Sequence, residues 1–153
     1  MSSVPRAAHH GGVLVRVNAV DGTLVWKADL KAASGRTEPP MWGFSCSPCV
    51  ESGFVVVHAG GEGDKGIVAF NVADGQVAWT APAGEMSYSS VQKITLLGRD
   101  YLCLLSNTGA HLLDLRLHHP VRGGQTPGHR TAVTRPSRAK VPLTVLSFRP
   151  PTS

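Results

Sequence analysis

Cys46-Ser47-Pro48-Cys49 is the segment whose residue types come nearest to a reactive motif, two thiols at the spacing of a dithiol redox pair. That chemistry needs a thiolate held by a helix N-terminus or a nearby cation. Here the motif leads into the apolar runs around Val50 and Phe54-Val55-Val56-Val57, and the alternation of a strand points positions 46 and 49 to opposite faces. Both are therefore expected as small buried residues, and Cys103, inside Leu102-Cys103-Leu104-Leu105, as a core residue. Three cysteines make no disulfide scaffold. The histidines fall as His9-His10, His118-His119 and single His58, His111 and His129, with no cysteine or carboxylate at metal-ligand spacing beside them. Gly60-Gly61-Glu62-Gly63 lacks the Lys-Ser/Thr of a phosphate loop and reads as a hairpin turn between Val57 and Ile67. There is no Gly-x-Ser-x-Gly elbow and no His-Glu-x-x-His motif.

Two of the ten carboxylates, Asp21 and Asp74, belong to a repeat. Val17-Asn18-Ala19-Val20-Asp21-Gly22-Thr23-Leu24-Val25-Trp26 returns as Phe70-Asn71-Val72-Ala73-Asp74-Gly75-Gln76-Val77-Ala78-Trp79, so Asn18/Asn71, Asp21/Asp74, Gly22/Gly75 and Trp26/Trp79 share one offset of 53 residues. A third copy begins at Gly109-Ala110-His111-Leu112-Leu113-Asp114-Leu115, parallel to Gly66–Val72, and lacks the Asp-Gly and the Trp. A fixed offset of this size marks repeat units that bury their faces against one another.

Each copy demands particular elements. Asp-Gly between two apolar runs is a hairpin signal, because glycine accepts the positive φ of tight primed turns. Asn18 is suited to bonding local backbone, and the Trp closing the second run combines a large apolar ring with one N–H donor, apt for tying neighbouring sheets together. Further strands are expected over 44–50, 54–58, 67–70, 77–79, 89–97, 101–105 and 110–115. Many short strands, regular turns and no helical period predict an all-β, antiparallel fold of about nine strands over 12–115. These amount to about two four-stranded propeller blades, of which 44–79 is the complete one.

With these residues the chain resembles the PQQ-like (quinoprotein-type) β-propeller repeat family, including the scaffold lipoprotein of outer-membrane β-barrel assembly. Gly12-Val13-Leu14-Val15 leading to Asp21-Gly22-Thr23-Leu24-Val25-Trp26 matches the tryptophan-docking repeat, and Trp42-Gly43-Phe44-Ser45-Cys46-Ser47-Pro48 matches a blade opening. The resemblance covers 12–115 and implies a partial β-propeller. It also implies two possible roles, because the fold hosts both quinone-dependent dehydrogenases and binding scaffolds. The dehydrogenases hold quinone and Ca²⁺ at the axis of a complete ring, with an Asp base and often two adjacent cysteines. This chain has no adjacent cysteine pair, Asp21 and Asp74 are assigned to turns, and no acidic cluster offers the six to eight oxygens of a Ca²⁺ site. The reading is therefore a non-catalytic, protein-binding propeller scaffold without cofactor or metal, the alternative being a fragment of a PQQ-dependent dehydrogenase.

Charge divides the chain. Residues 117–153 carry six of the 15 basic residues, six of the 11 prolines and no Asp or Glu. This composition predicts a disordered basic tail over 117–153 and a flexible N-terminus over 1–11, flanking repeats over 12–116. The tail lacks the interleaved aromatics that stack on bases, so nucleic acid is not an expected partner. The first residues contain no apolar core of an export signal, and no stretch reaches the ~20 apolar residues of a spanning helix. The expected partners are another protein or the remaining blades, with self-association through open blade edges as a consequence of incompleteness.

Overall fold

The computed structural model describes residues 12–41 and 43–115. The expectations for 1–11, for Trp42 and for the basic tail lie outside the described residues. Among the described residues, nine strands form three antiparallel sheets. The first is the hairpin β1 (Val13–Val17) and β2 (Leu24–Asp29). The second has four strands in sequence order, β3 (Cys49–Glu51), β4 (Phe54–His58), β5 (Ile67–Asn71) and β6 (Val77–Ala81). The third has β7 (Gln92–Leu96), β8 (Arg99–Ser106) and β9 (Gly109–Asp114).

The middle sheet organises the other two. Phe54-Val55-Val56-Val57-His58 is buried at every position, which a strand achieves only when both of its faces are covered. Cross-strand pairing sorts the side chains: Val55 lies opposite Phe70 and Val57 opposite Val68, while Val56 lies opposite Ala69 and His58 opposite Ile67. The first set packs with Leu14, Trp26, Leu30, Phe44 and Cys46 of the preceding segment. The second packs with Val91, Leu102, Leu104, Leu113 and Leu115 of the following one. Two apolar layers thus flank one sheet, the face-to-face stacking of propeller blades. Chain direction agrees with this. From β6 at one edge of the middle sheet the chain returns to β7, which lies against β3 at the opposite edge. Lys93 on β7 seals this inner contact with ion pairs to Glu51 at 3.2 Å and Asp100 at 3.1 Å. Exposed pairs of this kind add little stability, so burial, not charge, holds the sheets together.

By the 53-residue offset β1 and β2 correspond to β5 and β6, the outer half of a blade, and β9 corresponds to β5 through the Gly66–Val72 match. Nine strands, the antiparallel order and the one complete blade are as expected from the sequence. Four details differ. The first strand of the complete blade is only Cys49–Glu51, not 44–50, because Pro48 has no N–H to donate and Phe44 and Cys46 are held by core packing instead. Cys49 and Cys103 are half-buried, not buried, since Cys103 sits on the face of β8 that looks away from the middle sheet. The Asp-Gly turns are not two-residue primed turns: six residues, 18–23, separate β1 from β2. Finally, a short helix α1 (Leu30–Ser34) follows β2. Asp29 caps it by accepting from the Lys31 and Ala32 amides, and Gly35 ends it at φ 71°. Its Leu30 and Ser34 are buried, so one turn of helix plugs the end of the first apolar layer. None of the described helices is long and apolar enough to cross a membrane.

Phe70 is 1% exposed and belongs to the layer between the first and middle sheets. Phe70→Ala is expected to cost about 3–5 kcal/mol, the usual range for emptying a buried aromatic site, read as a shift of the denaturant midpoint.

Candidate functional site

The repeat residues meet at the boundary between the first two sheets. In the first copy the Asn18 amide donates to the Thr23 carbonyl at 2.9 Å and the Gly22 amide to the Asn18 carbonyl at 2.8 Å. In the second, the Asn71 amide donates to the Gln76 carbonyl and the Gly75 amide to the Asn71 carbonyl, both at 2.9 Å. Asp21 accepts from the Thr23 amide at 3.0 Å and Asp74 from the Gln76 amide at 2.9 Å. Both glycines sit at φ 73°, the left-handed region that makes glycine the residue of choice. The Asn18 side chain closes its loop further by accepting from the Val20 amide at 3.0 Å. The two turns are one structure written twice. Hydrogen bonds from Thr23, first from its amide and then from its hydroxyl, hold the exposed Asp21 carboxyl below the usual range, as expected for a carboxylate that closes a turn.

Trp26 and Trp79 then do different things. Trp26 is buried, its indole N–H donates to the Val72 carbonyl at 2.8 Å, and its ring lies on Gly75. A methyl group at Gly75 would come within 2.7 Å of the ring, so glycine is needed there for contact as well as for φ. Arg16, directly opposite Trp26 on β1, donates to the same Val72 carbonyl at 2.8 Å. The tryptophan of one hairpin is thus docked on the turn of the next blade. Trp79 is half-buried, meets Phe54 edge-on with ring centroids 6.1 Å apart, and packs against the layer shared with the third sheet.

The second boundary is polar at one end. The His58 ring Nε2 lies 2.6 Å from the Gly84 carbonyl and so carries the proton there. The Gly84 amide donates to Ser106 Oγ at 3.1 Å, and Ser106 Oγ lies 2.8 Å from His111 Nε2. Ser106 beside His111 has the spacing of a nucleophile and its base. The serine oxygen, however, also accepts from the Thr108 amide at 3.2 Å, so its lone pairs are engaged in holding loops, and Gly84 links the pair to His58 of the middle sheet. Burial lowers the proton affinity of both imidazoles, and the Arg36 charge adds to this at His58. The sequence reading left His58 and His111 without a role. The apolar runs on both sides of each, which place them on buried strands, were the available signal.

Cys46 is buried, with its Sγ taking the His58 amide at 3.1 Å, and burial raises its thiol pKa. Cys49 is half-buried, and burial with the Glu51 charge raises its thiol too. Neither is an activated thiolate. The inner-strand carboxylates Glu51 and Asp100 are both paired with Lys93. Asp21 and Asp74 thus hold turn amides and Glu51 and Asp100 hold Lys93, and among the described residues no three His, Cys, Asp or Glu side chains gather as a metal-ligand set. On the side of the β4–β5 and β8–β9 turns, two clefts open. A cleft of about 380 Å³ is lined by charged residues including Arg36, Glu62, Lys65 and Glu85. A neighbouring one of about 460 Å³ is formed by Met86, Tyr88 and Leu105 with small polar residues. Tyr88 is 74% exposed there, a large aromatic in water.

Two outcomes are expected. Trp26→Ala should cost about 3–5 kcal/mol through loss of the buried ring, and Trp26→Phe, which keeps an aromatic ring but no donor, about 1 kcal/mol from the hydrogen bond and some packing besides; chemical denaturation checks both. For pH, His58 and His111 bind protons less readily folded than unfolded, so their contribution is complete above about pH 6.5 and is lost as pH falls through the lower folded values. The melting temperature should therefore fall from pH 7.5 to 5, and less steeply in His58→Gln, which still offers a donor to Gly84.

Comparison with known proteins supplies one finding: the sequence profile of a family described as outer membrane protein assembly factor BamB, a PQQ-like repeat family, matches residues 6–125. No curated protein matches the chain. The match spans all three sheets and contains both tryptophan-bearing repeats, in agreement with the stacked blades and the docked indole. The chain belongs to this family of PQQ-like β-propeller repeat proteins.

Proposed function

We infer that the chain acts as a protein-binding propeller scaffold and performs no quinone-dependent oxidation. The observation that carries this reading is the employment of its polar residues. Asp21, Asp74, Asn18 and Asn71 close turns, Glu51 and Asp100 pair with Lys93, and His58, Ser106 and His111 join two blades. What faces solvent at the turn end of the sheets is instead a surface suited to contact: Met86, Tyr88 and Leu105 beside a charged cleft. Exposed apolar patches rimmed by polar residues mark interaction sites. The description of the family as an outer membrane protein assembly factor supports a role in holding proteins together. Its partners are then proteins or further blades, and no nucleic acid or cofactor enters.

Titration with pyrroloquinoline quinone and Ca²⁺, followed by absorbance and by reduction of an artificial dye with primary alcohols and aldoses, tests the reading. Neither a bound-quinone spectrum nor dye reduction is expected. Saturable quinone binding with alcohol-dependent dye reduction would establish the dehydrogenase alternative.

A further inference from the structure

The chain of hydrogen bonds from His58 through Gly84 and Ser106 to His111 is complete enough to place its protons. Ser106 Oγ accepts from the Gly84 amide at 3.1 Å and from the Thr108 amide at 3.2 Å. Two donors fill both lone pairs of a hydroxyl, so Ser106 has only its own hydrogen left to give. The nearer of its remaining neighbours is His111 Nε2 at 2.8 Å, ahead of Thr108 Oγ1 at 3.0 Å. Nε2 is therefore the acceptor, and the neutral His111 ring carries its proton on Nδ1. That nitrogen is buried and has no hydrogen-bond partner among the described residues. His58 differs, because its Nε2 donates to the Gly84 carbonyl whether the ring is neutral or charged.

The segment held by this chain bears the exposed Met86 and Tyr88. Gly84 sits so close to the β8–β9 turn that a Cβ there would collide with Asn107 Oδ1 and lie 2.7 Å from Ser106 Oγ. The Met86 amide donates to Asn107 Oδ1 at 3.2 Å, and the Asn107 amide to the Met86 carbonyl at 2.9 Å. Asn107 lies between Ser106 and Thr108, whose hydroxyl-to-amide bond shapes the turn. One hydroxyl thus holds Gly84 directly and supports the residue that holds Met86.

We propose that His111 is a proton-sensitive fastener of the contact surface: the neutral ring lets Ser106 hold the 84–88 segment in place, and the protonated ring releases it. A proton on Nε2 removes the acceptor of the Ser106 hydroxyl and aims an N–H at an oxygen whose lone pairs are filled. To accept it, Ser106 must give up the Gly84 or the Thr108 amide. The other N–H of the imidazolium, on Nδ1, meets no acceptor among the described residues. Nor do the surroundings favour the cation. Across the layer His111 faces His58, which in turn lies near the Arg36 guanidinium, and both neighbours are basic. Glu85 and Tyr88 on the connecting segment are exposed, and strand alternation puts Asp114 on the far face of β9. Among the described residues no carboxylate pairs with either ring. Burial first, and the His58 charge second, hold His111 below the usual histidine range, so release belongs to acid conditions. This rests on the scaffold reading and adds regulation of the surface it uses.

Nuclear magnetic resonance of the whole chain, titrated from about pH 8 down to about pH 4.5, tests this. At the upper end the His111 ring nitrogens should report the Nδ1–H tautomer. As that ring titrates, the hydrogen-exchange protection of the Gly84 and Met86 amides should fall about tenfold with the same midpoint, while the hydrogen-bonded amides of β4 and β5 keep theirs. His111→Gln, which offers Ser106 an uncharged acceptor, should keep Gly84 protected throughout, whereas His58→Gln should leave the Gly84 transition present. An Nε2–H tautomer at His111, Gly84 protection that stays flat until the whole chain unfolds, or an unchanged transition in folded His111→Gln would each overturn the proposal. If His111→Gln does not fold, the tautomer and the exchange profile of the unaltered chain decide by themselves. Those outcomes leave the scaffold reading standing, because that reading fails only through quinone-dependent activity.

Discussion

Everything in this molecule depends on the covering of both faces of the middle sheet. A strand such as Phe54-Val55-Val56-Val57-His58 cannot exist in water alone, because burying one face still leaves the other apolar. Each fully buried Val or Phe contributes on the order of 1.5–3 kcal/mol, and the residues are divided nearly evenly between the two layers. Neither neighbour is therefore optional. The hairpin before and the three strands after are parts of the same hydrophobic solution, and the blades are units of packing more than of chain.

Apolar layers alone would let sheets slide, since burial has no direction. Direction comes from a few polar contacts at the layer edges. At one boundary the Trp26 N–H and the Arg16 guanidinium converge on the Val72 carbonyl. At the other, His58, Gly84, Ser106 and His111 form a hydrogen-bonded chain from one sheet to the next. The Trp26, Arg16, His58 and Ser106 contacts each link a side chain of one sheet to backbone of a turn or connection beyond it, so each helps to fix the relative height of two sheets. Both sets lie where burial makes an unpaired polar group costly, and misregistered stacking is penalised there. The same placement explains why groups that would be reactive elsewhere are quiet. Ser106 already receives two amides, and the Cys46 thiol is neutral in its apolar setting.

Much of this was legible in the order of residues. Asn, Asp, Gly and Trp recurring at one offset specify a turn and a docking ring, and the turn chemistry is local: a carboxylate two residues before an amide and a glycine at positive φ require no distant partner. Period-two and continuous apolar runs specified nine strands for the same reason, because burial demand is written residue by residue. Even the unexpected helix had its signals, an Asp at the N-cap and a Gly five residues past Leu30, although five residues are too few for a helical period to show. The short first strand of the complete blade was harder to foresee, since an apolar Phe44 and Cys46 look like strand residues whether or not their backbone is paired.

By itself, then, the sequence determined the repeat, the positions of the turns and the all-β class, all of which follow from neighbours within a few positions. Only the tertiary structure decided what each repeated residue touches. Trp26 and Trp79 occupy the same place in the repeat, yet one bonds the Val72 carbonyl over Gly75 while the other meets Phe54 edge-on. Gly22 and Gly75 each follow an Asp and share a backbone angle, yet Gly75 carries an indole while Gly22 faces open space among the described residues. Likewise His58 and His111, 53 positions apart, become neighbours in one hydrogen-bonded chain because their strands face each other across a layer. A contact between residues so distant along the chain depends on how the sheets stack, and stacking is a property of whole faces that no local pattern encodes.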